Sequence, residues 1–111
     1  METRDRDTVP PVAEIVQRVV EALHPRRIVL FGSRARGTSR PDSDVDLMIE
    51  MDTTAWPVER AVAVRQLFGL RHWSMDVVVY TPAEIAHLRQ IPGSLMSAID
   101  AEGRVLYEQA A

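Results

Sequence analysis

The sequence predicts an α/β (α+β) fold, a mixed β-sheet flanked by helices. Three observations predict it. Apolar residues fall at helical spacing between Val12 and Leu23. Three short runs, Arg27–Phe31, Val45–Met51 and Met75–Tyr80, are rich in β-branched and aromatic residues, as strands are. Segments with helix-start signals separate those runs.

Taken in order, Val12, Ile15, Val16, Val19, Val20 and Leu23 mark an amphipathic helix over residues 10–23, begun by Pro10 and Pro11 and ended before Pro25. Arg27–Phe31 is apolar on both faces and reads as an interior strand. Ser33–Arg36 makes a short helix, and Gly37 to Ser43 a polar loop with turn residues at Gly37, Ser39, Pro41 and Asp42. In the second strand Val45, Leu47, Ile49 and Met51 face one way, while Asp44, Asp46, Met48 and Glu50 face the other. One face is expected to pack on the core and the other to be left for chemistry. Pro57 begins a helix expected to run to about Arg71, with Val58, Ala61, Val62, Val64, Leu67 and Phe68 on its buried side. Asp76, Val78 and Tyr80 share a face of the third strand. Thr81-Pro82-Ala83-Glu84 is a capping box opening a helix to about Gln90, which Ile91-Pro92-Gly93 interrupts. Helix resumes over Leu95–Ala101, Gly103 suits its C-terminal cap, and Arg104–Tyr107 forms a last strand. Residues 9–108 make a single domain behind a flexible N-terminus of residues 1–8.

Composition excludes several chemistries. With 46% apolar and 26% charged residues the chain is an ordinary globular one, and no apolar run approaches the ~18 residues that span a membrane. No membrane partner is expected; the N-terminus lacks a signal-peptide pattern, and a cytoplasmic location is the default. The absence of cysteine removes a disulfide framework, a thiolate metal site and a cysteine nucleophile. All 13 basic residues are arginine, which excludes a phosphate-gripping lysine, a Schiff-base lysine and a lysyl-AMP intermediate. A net charge of −3 argues against the basic stripe of a nucleic-acid binder, so no direct nucleic-acid binding is expected.

The chemistry concentrates in Phe31-Gly32-Ser33-Arg34-Ala35-Arg36-Gly37 and in Asp44-Val45-Asp46-Leu47. Residues two apart on a strand share a face, so Asp44 and Asp46 form a grip for a hard divalent cation. A Gly-Ser turn opening a helix offers backbone N–H groups to a phosphate. Asp76 begins another apolar strand whose natural place is beside the second, and three converging carboxylates repel one another unless cations lie between them. Together these residues predict a site for Mg²⁺, two ions about 3.5–4 Å apart in the usual two-metal arrangement, and a nucleoside triphosphate. Asp44, Asp46 and Asp76 are the expected metal ligands and catalytic residues; Gly32, Ser33, Arg34 and Arg36 are expected to hold the nucleotide phosphates.

Gly32-Ser33, ten residues, then Asp44-Val45-Asp46 resembles the signature of the DNA polymerase β-type nucleotidyltransferase superfamily. The Gly-Ser-Arg-Ala-Arg-Gly form in so short a chain most resembles the minimal nucleotidyltransferase (MNT) group. The resemblance implies a polymerase β-like fold, Mg²⁺ dependence, and transfer of a nucleoside monophosphate to a hydroxyl with release of pyrophosphate. It further implies an antitoxin encoded beside a HEPN-domain ribonuclease toxin, transferring AMP from ATP onto a tyrosine of that toxin. About thirty residues follow the third strand, fewer than a second substrate domain needs, so another molecule is expected to present the acceptor, in a homo- or hetero-oligomer. Two alternatives are a small-molecule acceptor such as an aminoglycoside and an antitoxin that acts by binding alone. Elsewhere, His24, His72 and His87 lack the spacing of metal ligands, Trp56 and Trp73 are expected to pack at the core or its rim, and Glu50 to be solvated.

Overall fold

The computed structural model describes residues 10–110, so the expected flexible N-terminus, residues 1–8, lies outside the described residues. The elements run α1 (Val12–Leu23), β1 (Arg27–Phe31), α2 (Ser33–Arg36), β2 (Val45–Glu50), α3 (Pro57–Arg65), β3 (Met75–Tyr80), α4 (Pro82–Leu88), α5 (Leu95–Glu102) and β4 (Arg104–Glu108). The four strands form one sheet in the order β3-β2-β1-β4. β1 runs antiparallel to β2 and β4, while β2 and β3 are parallel, so the sheet is mixed as predicted. Among the described residues no helix is long and apolar enough to cross a membrane.

Strand alternation sends Ile28 and Leu30, then Val45, Leu47 and Ile49, then Val77 and Val79 to one face of the sheet. There they close a core with Ile15 and Val19 of α1 and Val64 of α3. Polar residues 14, 17, 18 and 21 point away from that core, which explains why α1 reads so clearly as amphipathic. The opposite face is covered as well: Val29 and Met48 pack with Ile85 of α4 and Met96 and Ile99 of α5. Met48 is fully buried, which corrects the expectation that its whole face of β2 is left for chemistry. The end carrying Asp44 and Asp46 stays open, with Asp44 exposed and Asp46 half-buried.

Other differences have physical reasons. α3 ends at Arg65, not near Arg71, because the Leu67 and Phe68 amides bond three residues back, to Val64 and Arg65, and tighten the chain into a turn. That turn drives Phe68 into the core, where its ring meets Trp73 edge-on at 5.7 Å. The apolar positions of α3 span more of its circumference than one core can cover, so Val58 and Val62 are exposed while Val64 is buried. Glu50 keeps part of its solvent exposure and pairs across the ladder with Arg27 at 3.1 Å. α4 stops at Leu88, two residues short of the expected end, but its capping box is formed: Thr81 and Glu84 exchange backbone and side-chain hydrogen bonds. Gly103 does follow α5, in extended rather than left-handed conformation. Glycine is needed there because a Cβ would lie 2.6 Å from Val29 and overlap the Ile99 carbonyl.

Candidate active site

Parallel pairing of β2 with β3 sets Asp46 directly opposite Asp76, so both carboxylates leave the sheet on the same face. Asp44 precedes β2 by one residue and is exposed, as is Asp76, while Asp46 between them is half-buried. Burial raises the Asp46 carboxyl above its ordinary range, and the negative charges of Asp76 and Asp44 and a hydrogen bond with Asp76 raise it further. The Arg36 guanidinium opposes the rise. The three expected carboxylates thus act on one another, as adjacency of β2 and β3 requires. Among the described residues no group of three Asp, Glu or His side chains is arranged closely enough to enclose a cation. The donor set of the three aspartates is hard oxygen alone, which fits Mg²⁺, and a cation there would offset the negative charge that Asp76 and Asp44 set beside Asp46.

Gly32 closes the other side. Phe31 pairs with Asp46 across the β1–β2 ladder, so the chain leaves β1 immediately beside that carboxylate. Gly32 has φ 75° and ψ −157°, a region open essentially to glycine alone. A Cβ there would overlap Asp46 Oδ2 and lie 2.9 Å from its Cγ. Glycine therefore serves twice, for the turn and for the close approach of backbone to carboxylate. Ser33 opens α2 next to this contact, and the Ala35 and Arg36 amides bond back to the Gly32 carbonyl at 3.1 Å. The Gly-Ser turn and the aspartates form one continuous surface.

The two arginines of the motif part company. Arg36 stays at the site, where its Nη1 donates to Glu102 at 3.1 Å. Arg34 turns to the loop behind and donates to the carbonyls of Arg40, Pro41 and Ser43. Sequence reasoning missed Glu102, which ends α5 and accepts from the Gly32 amide at 3.3 Å as well as from Arg36. Nothing near Glu102 in sequence signals this; the contact comes from α5 crossing the sheet face seventy residues away from Gly32. A hollow of about 350 Å³ between α1 and the Phe68–Trp73 segment is not lined by any of the three aspartates. The site is an open face.

The polymerase beta nucleotidyltransferase family (Polymerase beta, Nucleotidyltransferase) matches residues 13–111. The chain belongs to this family, and it is a nucleotidyltransferase. No curated protein matches the sequence. Among solved structures, a Sulfolobus solfataricus protein assigned as a nucleotidyltransferase is 19% identical with a TM-score of 0.61, over 88% of this chain and 78% of its own. A toxin–antitoxin complex with AMP-PNP is 20% identical with a TM-score of 0.61, over 90% of this chain and 75% of that one. A tyrosine-to-alanine mutant of the toxin–antitoxin MntA-HpeT gives 20% and 0.61, over 90% and 74%. At these identities the likeness is one of fold. The polymerase β-like fold expected from the sequence is present.

Proposed function

We propose that this nucleotidyltransferase uses Mg²⁺ to transfer AMP from ATP to a hydroxyl, a tyrosine by resemblance, on a partner HEPN ribonuclease toxin, and so acts as its antitoxin. The observation that carries the reading is the placement of Asp46 opposite Asp76 with Gly32 against its carboxylate. It joins a carboxylate cluster to a glycine turn in a family whose members move nucleotidyl groups. Asp44, Asp46 and Asp76 would hold the cations, whose charge would stabilise the attacking and leaving oxygens of an in-line displacement. Gly32 and Ser33 would seat the outer phosphates, and Arg36 would neutralise them. Asp76, on the outer strand, would stand on the side of the attacking hydroxyl and help remove its proton. The acceptor oxygen would then bond to the α-phosphorus as the bond to pyrophosphate breaks.

The open face supports a protein acceptor, because a partner surface can itself exclude water from the exposed Asp44 and Asp76. A likeness in fold to two toxin–antitoxin structures, one holding AMP-PNP, points the same way. AMP on a ribonuclease would place a bulky anion where RNA phosphates must enter, and repulsion would silence it. The test is incubation with Mg²⁺, ATP labelled at the α-phosphate, and the product of the neighbouring gene. Label on that partner, absent with Asp44→Asn, is expected. Inhibition of the partner at equal stoichiometry with no label transferred would replace transfer by binding.

A further inference from the structure

We infer that Arg34 is a positioning residue that staples the loop delivering Asp44 to the carboxylate cluster and does not itself hold the triphosphate. The inference about the cluster rests on the proposed reading of the aspartates; that about the loop stands by itself. Residues 37–44 form neither helix nor strand, yet they link the glycine turn to β2. Arg34 reaches across from α2 and makes four hydrogen bonds to this loop's backbone. Its Nη2 donates to the carbonyls of Ser43 at 2.8 Å, Pro41 at 3.0 Å and Arg40 at 3.2 Å, and its Nε donates to Ser43 at 3.2 Å. Ser43, which receives two of the four, is the residue immediately before Asp44. The Ser43 hydroxyl accepts from the Arg40 amide at 2.8 Å, and its own amide donates to the Arg40 carbonyl at 3.0 Å, so the turn beneath the staple is closed as well.

The geometry suits arginine alone. A planar fork can meet several carbonyls at fixed angles, whereas a lysine ammonium presents one point charge. With Nε and Nη2 committed to the loop, Arg34 has turned its best donor edge away from the nucleotide face, which Arg36 serves by facing Asp46 and Glu102. One arginine of the motif therefore sets loop shape and the other sets charge.

Two measurements on the whole chain test this, with Arg34→Ala and Arg34→Lys. Amide hydrogen exchange of the metal-free protein reads the loop: residues 38–45 exchange faster in both variants, while the strands and α1 keep wild-type rates. Binding of Mn²⁺ alone, followed by the paramagnetic signal of the free ion, reads the site. Affinity is expected to drop about 10–100-fold in both variants, the usual effect of losing a group that orients metal ligands. Millimolar guanidinium is expected to restore affinity in Arg34→Ala. Unchanged loop exchange overturns the staple. A loosened loop with wild-type Mn²⁺ affinity overturns its link to the site. Unaltered Mn²⁺ affinity with weakened binding of free ATP would make Arg34 a phosphate ligand, contrary to the proposal. Should wild type bind no Mn²⁺, the reading of the aspartates fails, and with it the link to the site, while the exchange result still decides the staple.

Discussion

Gly32→Ala is expected to disable the site out of proportion to its effect on folding. Its φ of 75° with ψ −157° lies where an alanine costs about 1–3 kcal/mol in backbone strain alone. In a domain of this size that strain lowers the melting temperature by on the order of 5–15 °C. The added methyl also overlaps Asp46 Oδ2 and lies 2.9 Å from Cγ, so the carboxylate must retreat by about 1 Å. A misplacement of that size in a catalytic group costs on the order of 10²-fold in rate. Gly37→Ala is the control: φ is 77° there too, but nothing lies within 4 Å of an added Cβ. It should lower stability by about 1–2 kcal/mol and leave the carboxylates in place. Thermal melts and initial rates of nucleotidyl transfer on both variants separate the two effects. A double-mutant cycle sharpens the result, since in an Asp46→Ala background Gly32→Ala should cost only its backbone share. Wild-type transfer by Gly32→Ala, or equal losses for both glycines, would refute the reasoning.

Asp46→Asn should stabilise the metal-free protein near neutral pH. The folded Asp46 carboxyl titrates above 3.8, so the folded state holds that proton more tightly than the unfolded chain. The stability that Asp46 contributes therefore falls as pH rises from about 4 through the folded value, while Glu84 and Asp100, whose carboxyls are held low, act in the opposite sense; the denaturant midpoint of the variant minus that of wild type should rise across that range. Ser33→Ala should weaken binding of a non-hydrolysable ATP analogue about ten- to a hundredfold, the effect of one charge-assisted hydrogen bond, and leave the melting temperature unchanged. Arg60→Ala should destabilise by about 2–3 kcal/mol. Its side chain is 8% exposed and binds Glu84 at 2.6 Å together with the Ala55 and Val79 carbonyls, but Glu84 keeps 38% exposure, so the loss stays below the ~3–5 of a fully buried pair.

The parts of the fold that were legible in the sequence are those with local causes. Alternation along Val45–Glu50 and Met75–Tyr80 fixes which side chains share a face, and the Thr81–Glu84 box fixes where α4 begins. The end of α3 was not legible, because Phe68 leaves helical geometry to meet Trp73, a tertiary preference that outweighs helical periodicity. Nor could the pattern on β2 tell that Met48 would be buried: alternation shows which residues share a face, not that α5 covers half of it. At the site, adjacency of β2 and β3 follows from the apolar runs, and with it the meeting of Asp46 and Asp76. The division of labour between Arg34 and Arg36 does not, since a guanidinium's choice between a backbone loop and an open face depends on a loop conformation without periodicity. Glu102 was out of reach for the same reason in larger form, its partner lying seventy residues away.

The central claim is that the carboxylates bind nucleotide through a cation rather than tolerate it beside a glycine turn. Calorimetric titration of a non-hydrolysable ATP analogue into the wild-type chain, with Mg²⁺ and then with a chelator, tests it most directly. Binding that requires Mg²⁺ in wild type and is lost in Asp46→Asn is the predicted result. Equal affinity with the chelator present, or full Mg²⁺-dependent affinity in Asp46→Asn, would contradict it.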